Sequence, residues 1–256
     1  MTAPAPILKI EGLSHRFPDG VLGLESIDLS IGPGEFVVVA GENGAGKTLL
    51  MRHLVGLAEP TTGRILFEGS DIKGRLAEVR RSIGLVFQDS GAQVLGLTIG
   101  EEIAFGPKNL GWPRDKIAHN VEMALAVTGL GGREREYCGH LSGGEKRRLA
   151  IAGILAMEPK VLVLDEPFAG LDYPAVVSVL GALVASNESG RTIIVLTHEL
   201  EKCLAHAHRL VLLSRSRILA EGRPESVWDD IPRASVHRPR GGSGDLGRMT
   251  WLAETA

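Results

Sequence analysis

Eight consecutive residues, Gly41-Glu42-Asn43-Gly44-Ala45-Gly46-Lys47-Thr48, fit the pattern of a glycine, four variable residues and Gly-Lys-Thr. A uniformly apolar, valine-rich run (36–40) precedes them, and a helical pattern over 46–57 follows at once. Strand, glycine-rich turn and helix in that order make a cradle for polyphosphate. Successive backbone N–H groups face an anion at a helix N-terminus, and a side chain at Gly44 or Gly46 would obstruct its approach. Lys47 is then expected to reach the β- and γ-phosphates and Thr48 to hold Mg²⁺, with Leu49 completing the loop. The competing reading, an ordinary glycine turn capping a helix, does not account for every fixed position and the strand context together.

A second cluster closes another apolar run: 161–164 ends in Asp165-Glu166-Pro167. In a parallel sheet, ligands lie beyond the carboxyl ends of the strands. Asp165 is therefore expected to meet the Mg²⁺ held by Thr48, and Glu166 to orient or deprotonate an attacking water. His198 closes the run 192–197 by the same logic and is expected to hydrogen-bond the γ-phosphate or that water. Gln88 ends the run 83–87 and offers a neutral amide to metal or water. Alone, each of these would read as a solvated strand end or a surface residue.

The elements needed to position such residues are visible in the apolar pattern. Runs 36–40, 161–164, 192–196 and 210–213 are apolar throughout, as strands covered on both faces must be. Helical patterns at 46–57, 174–186 and 199–207 separate them, so the chain is α/β with a mostly parallel sheet. Runs 7–17 and 24–31 mix polar and apolar residues, as half-buried strands do, and the turn Gly32-Pro33-Gly34 leads out of them. Between 89 and 156 strand-like runs disappear, and Ile117, Val121 and Leu125 recur every four residues, an amphipathic helix spacing. Pro113 could open that helix and Gly129 end it.

The expected organisation is a P-loop NTPase (RecA-like) core over 1–88 and 157–230, with an antiparallel β subdomain at its N-terminal end. A helical subdomain is inserted over 89–156. The tail, 231–256, is basic and then glycine-rich; it is expected to be mobile, with Trp251 a candidate to dock.

Composition narrows the function classes. Lys plus Arg is 28 against 31 Asp plus Glu, so the basic excess of a nucleic-acid binder is missing. Cys138 and Cys203 form no Cys-x-x-Cys pair, which disfavours a disulfide framework or zinc site and fits a reducing cytosol. No basic segment followed by an apolar stretch opens the sequence, so no secretory signal is expected. The longest apolar stretch, about 149–157, is roughly half a membrane span.

Leu141-Ser142-Gly143-Gly144-Glu145 is the most discriminating feature. Ser142 and Glu145 suit a capping box for the helix that follows. With the phosphate loop, Gln88, Asp165-Glu166, Ala169-Gly170-Leu171-Asp172 and His198 in that order, the chain resembles the ATP-binding subunits of ABC transporters over about 7–228. The resemblance implies two subunits head to tail with two ATP molecules sandwiched between them. Ser142, Gly143 and Gly144 of one would contact the γ-phosphate held by the other, and Asp172 would help join the two sites. Phe17 stands where the family stacks an aromatic on adenine; a plain core aromatic is the alternative.

Within that family, His15-Arg16-Phe17-Pro18-Asp19-Gly20 and the stretch from Thr98 through Ala104-Phe105-Gly106-Pro107 to Asn109-Leu110-Gly111 resemble energy-coupling factor ATPases. That implies a second ATPase subunit, identical or related, a transmembrane coupling protein and a membrane substrate-binding protein. It also implies a peripheral position on the cytoplasmic face of the membrane and a vitamin or transition-metal cargo such as cobalt or nickel. Asp89-Ser90-Gly91-Ala92-Gln93 departs from the family's Asn-Pro-Asp-Asp-Gln near the expected docking surface of the membrane partner, keeping only Gln93. Phe168 and Tyr173 replace the family's common Thr and Pro without removing a catalytic group. The rivals are another class of ABC transporter, a soluble ABC protein acting on DNA or ribosomes, and a module that no longer hydrolyses ATP. The first soluble class usually carries paired cassettes, zinc cysteines or a coiled coil, and the last is disfavoured by Lys47, Asp165, Glu166 and His198.

Overall fold

The computed structural model describes residues 4–252. β1 (Leu8–Arg16) and β2 (Leu22–Ile31) pair antiparallel. β3 (Phe36–Gly41) is buried along its whole length and feeds through the glycine-rich turn into α1 (Lys47–Leu54). Next come β4 (Thr62–Phe67), β5 (Ser70–Asp71), α2 (Leu76–Ser82) and β6 (Ile83–Val86). Three helices without an intervening strand follow: α3 (Ile99–Asn109), α4 (Arg114–Val127) and α5 (Gly143–Leu155). The chain then returns to strands and one long helix, with β7 (Val161–Asp165), α6 (Tyr173–Glu188), β8 (Thr192–Leu196), β9 (Arg209–Ser214) and β10 (Arg217–Gly222).

Two sheets result. The smaller has the order β2-β1-β4-β5, all antiparallel; the larger has the order β10-β9-β3-β8-β7-β6. In the larger, β3 runs parallel to β8 and β9, β7 parallel to β6 and β8, and only the edge strand β10 is antiparallel. Alternation along β3 shows why its sequence is apolar at every position. Val37 and Val39 face the small sheet, packing with Leu8, Ile10 and Phe67, and Leu50 and Met51 of α1 join the same cluster. Phe36, Val38 and Ala40 face the other way, against Ile151 of α5 and Val176, Leu180 and Leu183 of α6. Each such side chain, fully buried, contributes about 1.5–3 kcal/mol. A third cluster, built on Ile99, Ile103, Leu125 and Leu149, holds the three inserted helices to one another. The expected capping box of Ser142 with Glu145 forms, and Thr98 makes a second one with Glu101.

Two expectations from sequence are corrected. The stretch 199–207 is not an α-helix but two single 3₁₀ turns, Leu200–Lys202 and Leu204–His206. A C-terminal segment takes its backbone bonds: the Ala205 N–H donates to the Met249 carbonyl (3.0 Å) and the Trp251 N–H donates to the Lys202 carbonyl (3.3 Å). Those groups are lost to any i to i−4 ladder. The tail, expected to be mobile, is bound to the core over 231–252, while 253–256 lie outside the described residues. Ile231, Ala234, Val236, Leu246 and Met249 are buried with β9, α6 and Trp228 in one cluster, and Trp251 and Leu252 pack against it. The glycine-rich composition concealed apolar residues spaced widely enough to bind irregular backbone to the core.

Packing of this segment is testable on Ile231, which is wholly inaccessible. Ile231→Ala is expected to lower the unfolding free energy in urea by about 2–5 kcal/mol. A loss below about 0.5 kcal/mol, the range of surface substitutions, would show that the segment is not bound to the core.

Candidate functional site

The carboxyl ends of β3, β6, β7 and β8 lie along one edge of the large sheet, and one cleft of about 450 Å³ opens there. It is lined by Phe17, Asn43, Gly44, Gly46, Lys47, Thr48 and Leu49, together with Gln88, Asp165, Glu166 and His198. Residues from five separate stretches of sequence thus meet at one place. Gly23 and Arg52 line it too, and the sequence pattern did not single them out. Gly23 is legible only in three dimensions: a β-carbon there would lie 2.4 Å from Leu49 and 2.7 Å from the Phe17 ring.

The loop's glycines divide into distinct physical roles. Gly41 lies beneath the cleft, where a β-carbon would come within 2.3 Å of the Leu213 carbonyl on β9. Gly46, with φ +103°, would bring one to 2.7 Å from the Gly23 carbonyl. Both are needed for close passage of backbone over backbone, before any ligand is considered. The Ala45 side chain packs into the core cluster between the sheets, and Glu42 contributes its carbonyl. Both therefore support the loop without lining the cleft.

Lys47 is buried and donates from Nζ to the carbonyls of Gly41 (2.7 Å) and Glu42 (3.1 Å), bracing the loop from inside. Burial pushes its ammonium pKa below the usual lysine value, while Glu166 and Asp165 pull the other way. The Thr48 hydroxyl donates to Oδ2 of Asp165 at 2.7 Å. Asp165 is buried at the end of β7, and desolvation raises its carboxyl pKa despite the Thr48 bond. A hydroxyl and a desolvated carboxylate side by side are hard oxygen donors that suit Mg²⁺ and would have their burial cost offset by a cation.

Glu166 is held with unusual firmness. Its Oε2 accepts from the Thr197 hydroxyl (3.0 Å), and its Oε1 lies 2.9 Å from Nδ1 of His198. Its backbone N–H donates to the Leu196 carbonyl at 2.8 Å. The residue sits at φ +46°, in left-handed backbone that costs a non-glycine residue about 1–2 kcal/mol. Strained backbone of this kind persists where surrounding bonds over-determine it. With its proton on Nδ1, His198 donates to Glu166 and presents Nε2 outward; its side chain is half exposed. Gln88 is exposed past the end of β6, and its backbone carbonyl accepts from Nη2 of Arg147 (2.6 Å).

Ser142, Gly143, Gly144 and Asp172 do not join this cleft. They line a second groove of about 540 Å³ with Arg148, Gly170 and Leu171. The Ser142 hydroxyl accepts from the Glu145 N–H, and the Glu145 carboxylate accepts from the Ser142 N–H and from Arg133. These bonds hold the Glu145 carboxyl at about 2, the Ser142 backbone bond contributing most. Asp172 caps α6 through the Ala175 N–H (3.0 Å). The candidate residues thus form two surfaces on one chain: phosphate loop and carboxylates on one, the Leu-Ser-Gly-Gly-Glu motif and Asp172 on the other.

Phe17 is 40% exposed above the loop, so it is not a plain core aromatic. It rests edge-on against His15 (4.8 Å between ring centres), which in turn meets the buried ring of His53 at 5.0 Å.

Several known proteins are similar to this chain. Residues 24–169, more than half of the chain, match the family model described as ABC transporter. The energy-coupling factor transporter ATP-binding protein EcfA of Methanocaldococcus jannaschii is 41% identical over 240 residues, 91% of this chain and 86% of that protein. Among solved structures, cbiO1 from Clostridium perfringens, described as part of the ABC transporter complex cbiONQ, has a TM-score of 0.81 at 36% identity. That alignment covers 88% of this chain and 92% of cbiO1. The ATP-binding cassette MJ0796, bound to ADP and Pi, shares the fold at 24% identity and TM-score 0.77, over 84% of this chain and 98% of its own.

His53 gives the site a pH limit. Its ring is wholly inaccessible, and neither nitrogen makes a hydrogen bond of good geometry. Burial, assisted by His15, lowers its pKa from 6.5 to about 4. An unfolded chain takes up this proton near pH 6.5 and the folded chain only near pH 4. The stability tied to neutral His53 is therefore intact above pH 6.5 and drains away as pH falls toward 4. Between pH 7 and 5 the loss is about 2 kcal/mol. His53→Leu is expected to remove that part of the pH dependence in urea unfolding at the two pH values. An unchanged difference between them would refute the assignment.

Proposed function

This chain belongs to the ABC transporter family, as an ATP-binding subunit of the energy-coupling factor type with ATPase activity, and we propose that its hydrolysis of ATP drives import of a vitamin or transition-metal ion through membrane partners. The observation that carries the site assignment is the convergence of the phosphate loop, Asp165, Glu166, His198 and Gln88 in a single cleft under Phe17. Phe17 stacks on the adenine, and the N–H groups of the 41–49 loop with Lys47 bind the polyphosphate. Lys47 exchanges its carbonyl partners for phosphate oxygens, which relieves the cost of burying an ammonium on carbonyls alone. Thr48, Asp165 and Gln88 would hold Mg²⁺, which when bound neutralises charge developing on the phosphates.

Glu166 orients the attacking water and accepts its proton, with Thr197 and His198 fixing the carboxylate. His198 is also within reach of the γ-phosphate side of the cleft through its outward nitrogen. The separation of Ser142, Gly143, Gly144 and Asp172 from the cleft supports a head-to-tail pair of subunits, in which the signature of one completes the site of the other. A helix N-terminus presenting N–H groups is a suitable device for meeting a γ-phosphate.

No helix among the described residues is long and apolar enough to cross a membrane. The membrane step then belongs to partners: a coupling protein and a substrate-binding protein, with this chain on the cytoplasmic face. The face beyond Gln88 suits their docking. Leu95 and Leu97 are 70% and 66% exposed after the turn that follows Gln88, and Thr98 bridges to the exposed Tyr137. Adjacent exposed apolar residues of this size mark interaction surfaces.

Glu166→Gln is expected to bind ATP, form a dimer in its presence and hydrolyse it about 10²–10⁴-fold more slowly; unchanged turnover would remove Glu166 from the proposed role. Leu97→Glu is expected to keep the ATPase rate of the isolated chain while abolishing recovery with membrane proteins. Undiminished recovery with the membrane fraction would place the docking surface elsewhere.

A further inference from the structure

Arg147 lies on α5, two residues beyond the Leu-Ser-Gly-Gly-Glu motif, and is 8% exposed. A buried guanidinium normally finds a carboxylate. Among the described residues this one forms no ion pair within 4 Å, and its donors go to backbone carbonyls. Nη1 donates to Glu166 (2.5 Å) and Ala169 (3.2 Å), and Nη2 donates to Gln88 (2.6 Å). These carbonyls belong to separate stretches: the one leaving β6, the one leaving β7 and the one leading to Asp172. Each carries, or adjoins, a residue placed above at one of the two nucleotide surfaces.

The cost of this arrangement is high. Burial lowers the Arg147 pKa, with Glu166 the foremost charge opposing that shift, and Nε has no partner. Apolar residues of similar volume would often do as well for stability alone. What they could not do is hold three carbonyls in a fixed relation, which needs the rigid fork of a guanidinium. Glu166 is pinned from both sides as a result, its N–H by Leu196 of β8 and its carbonyl by Arg147, and it keeps φ +46° between them.

We propose that Arg147 is a positioning residue that sets the Gln88 and Glu166 loops from the signature helix, so that the seating of one chain's signature against the other chain's nucleotide is felt at its own Glu166. The connection is short and contiguous: Ser142-Gly143-Gly144 opens α5, Arg147 is on the same helix, and its fork ends on the loops of the catalytic cleft. It rests on the reading that the signature serves the opposed subunit.

The test uses Arg147→Lys and Arg147→Gln in the full chain. Lysine keeps the charge but offers a single nitrogen, so charge and geometry are separated. Both variants are expected to lose about 10- to 100-fold in kcat, as displacement of a catalytic group by about an ångström does, with the Kd for ADP within about 2-fold of the parent. A merely structural role would instead lower the melting temperature and weaken ADP binding while leaving kcat intact below the melting range. Parental kcat in either folded variant overturns the proposal.

If neither variant folds, hydrogen exchange on the unaltered chain decides. Amides in 86–90, 143–147 and 165–170 are expected to open together on adding ADP or ATP, and independent opening overturns the proposal. Dimerisation of the Glu166→Gln chain with Arg147 intact is measured in parallel. Its absence counts against the two-subunit reading, whereas normal dimers beside unaltered turnover in the Arg147 variants count against this proposal alone.

Discussion

The arrangement depends on one constraint: the six-stranded sheet is covered on both faces. The small antiparallel sheet and α1 bury one face, and α5, α6 and the C-terminal segment bury the other. Polar chemistry can then gather only where the strands end. β3, β6, β7 and β8 all run parallel and end at the same edge, and each contributes a residue there. The cleft is thus a consequence of a sheet with no wettable face, and its polar groups have been drawn from otherwise apolar strands. Asp165 and Glu166 pay for that placement in burial, and Thr48, Thr197 and His198 return hydrogen bonds to them.

Buried cations around this edge share a habit. Lys47 donates to the carbonyls of Gly41 and Glu42, Arg147 to those of Gln88, Glu166 and Ala169, and Lys202 to that of Phe168. Backbone at a strand end has carbonyls that no ladder partner claims, and a buried polar group without a partner is costly. A cation that satisfies several of them fixes loop geometry without adding a further anion to the cleft. Lys202 also joins Glu199 and lies 4.7 Å from the centre of the Trp251 ring, so the loop after Glu166 and the turn after His198 share a common anchor.

Much of this was legible in the sequence because it is local. The phosphate loop, the apolar strands ending in Asp165-Glu166 and in His198, and the helical spacing of Ile117, Val121 and Leu125 are all short-range signals, and the α/β class follows from their alternation. What escaped depends on distant partners. The helical pattern at 199–207 is real, but Met249 and Trp251 claim backbone groups that the pattern cannot reveal. Arg147 reads as one of three basic residues on an exposed-looking helix start until its carbonyl partners, up to 59 positions away, are in view. The division of the motif residues between two surfaces is likewise a matter of topology: Ser142 and Asp172 cap different helices, α5 and α6, and line a groove separate from the cleft that holds Glu166.

The C-terminal segment has a bearing on how the molecule is made. A domain generally folds as a unit, although its N-terminal parts are synthesised first. Every described strand of both sheets and every described α-helix precedes residue 223, so all of them are synthesised before the segment that packs on them. The turns after His198 draw on that later segment, because Ala205 and Lys202 have their backbone partners in Met249 and Trp251. The arm that carries His198 is therefore completed by residues about 50 positions further along the chain. The segment thus closes the His198 side of the cleft, and the edge is whole only with Met249 and Trp251 in place.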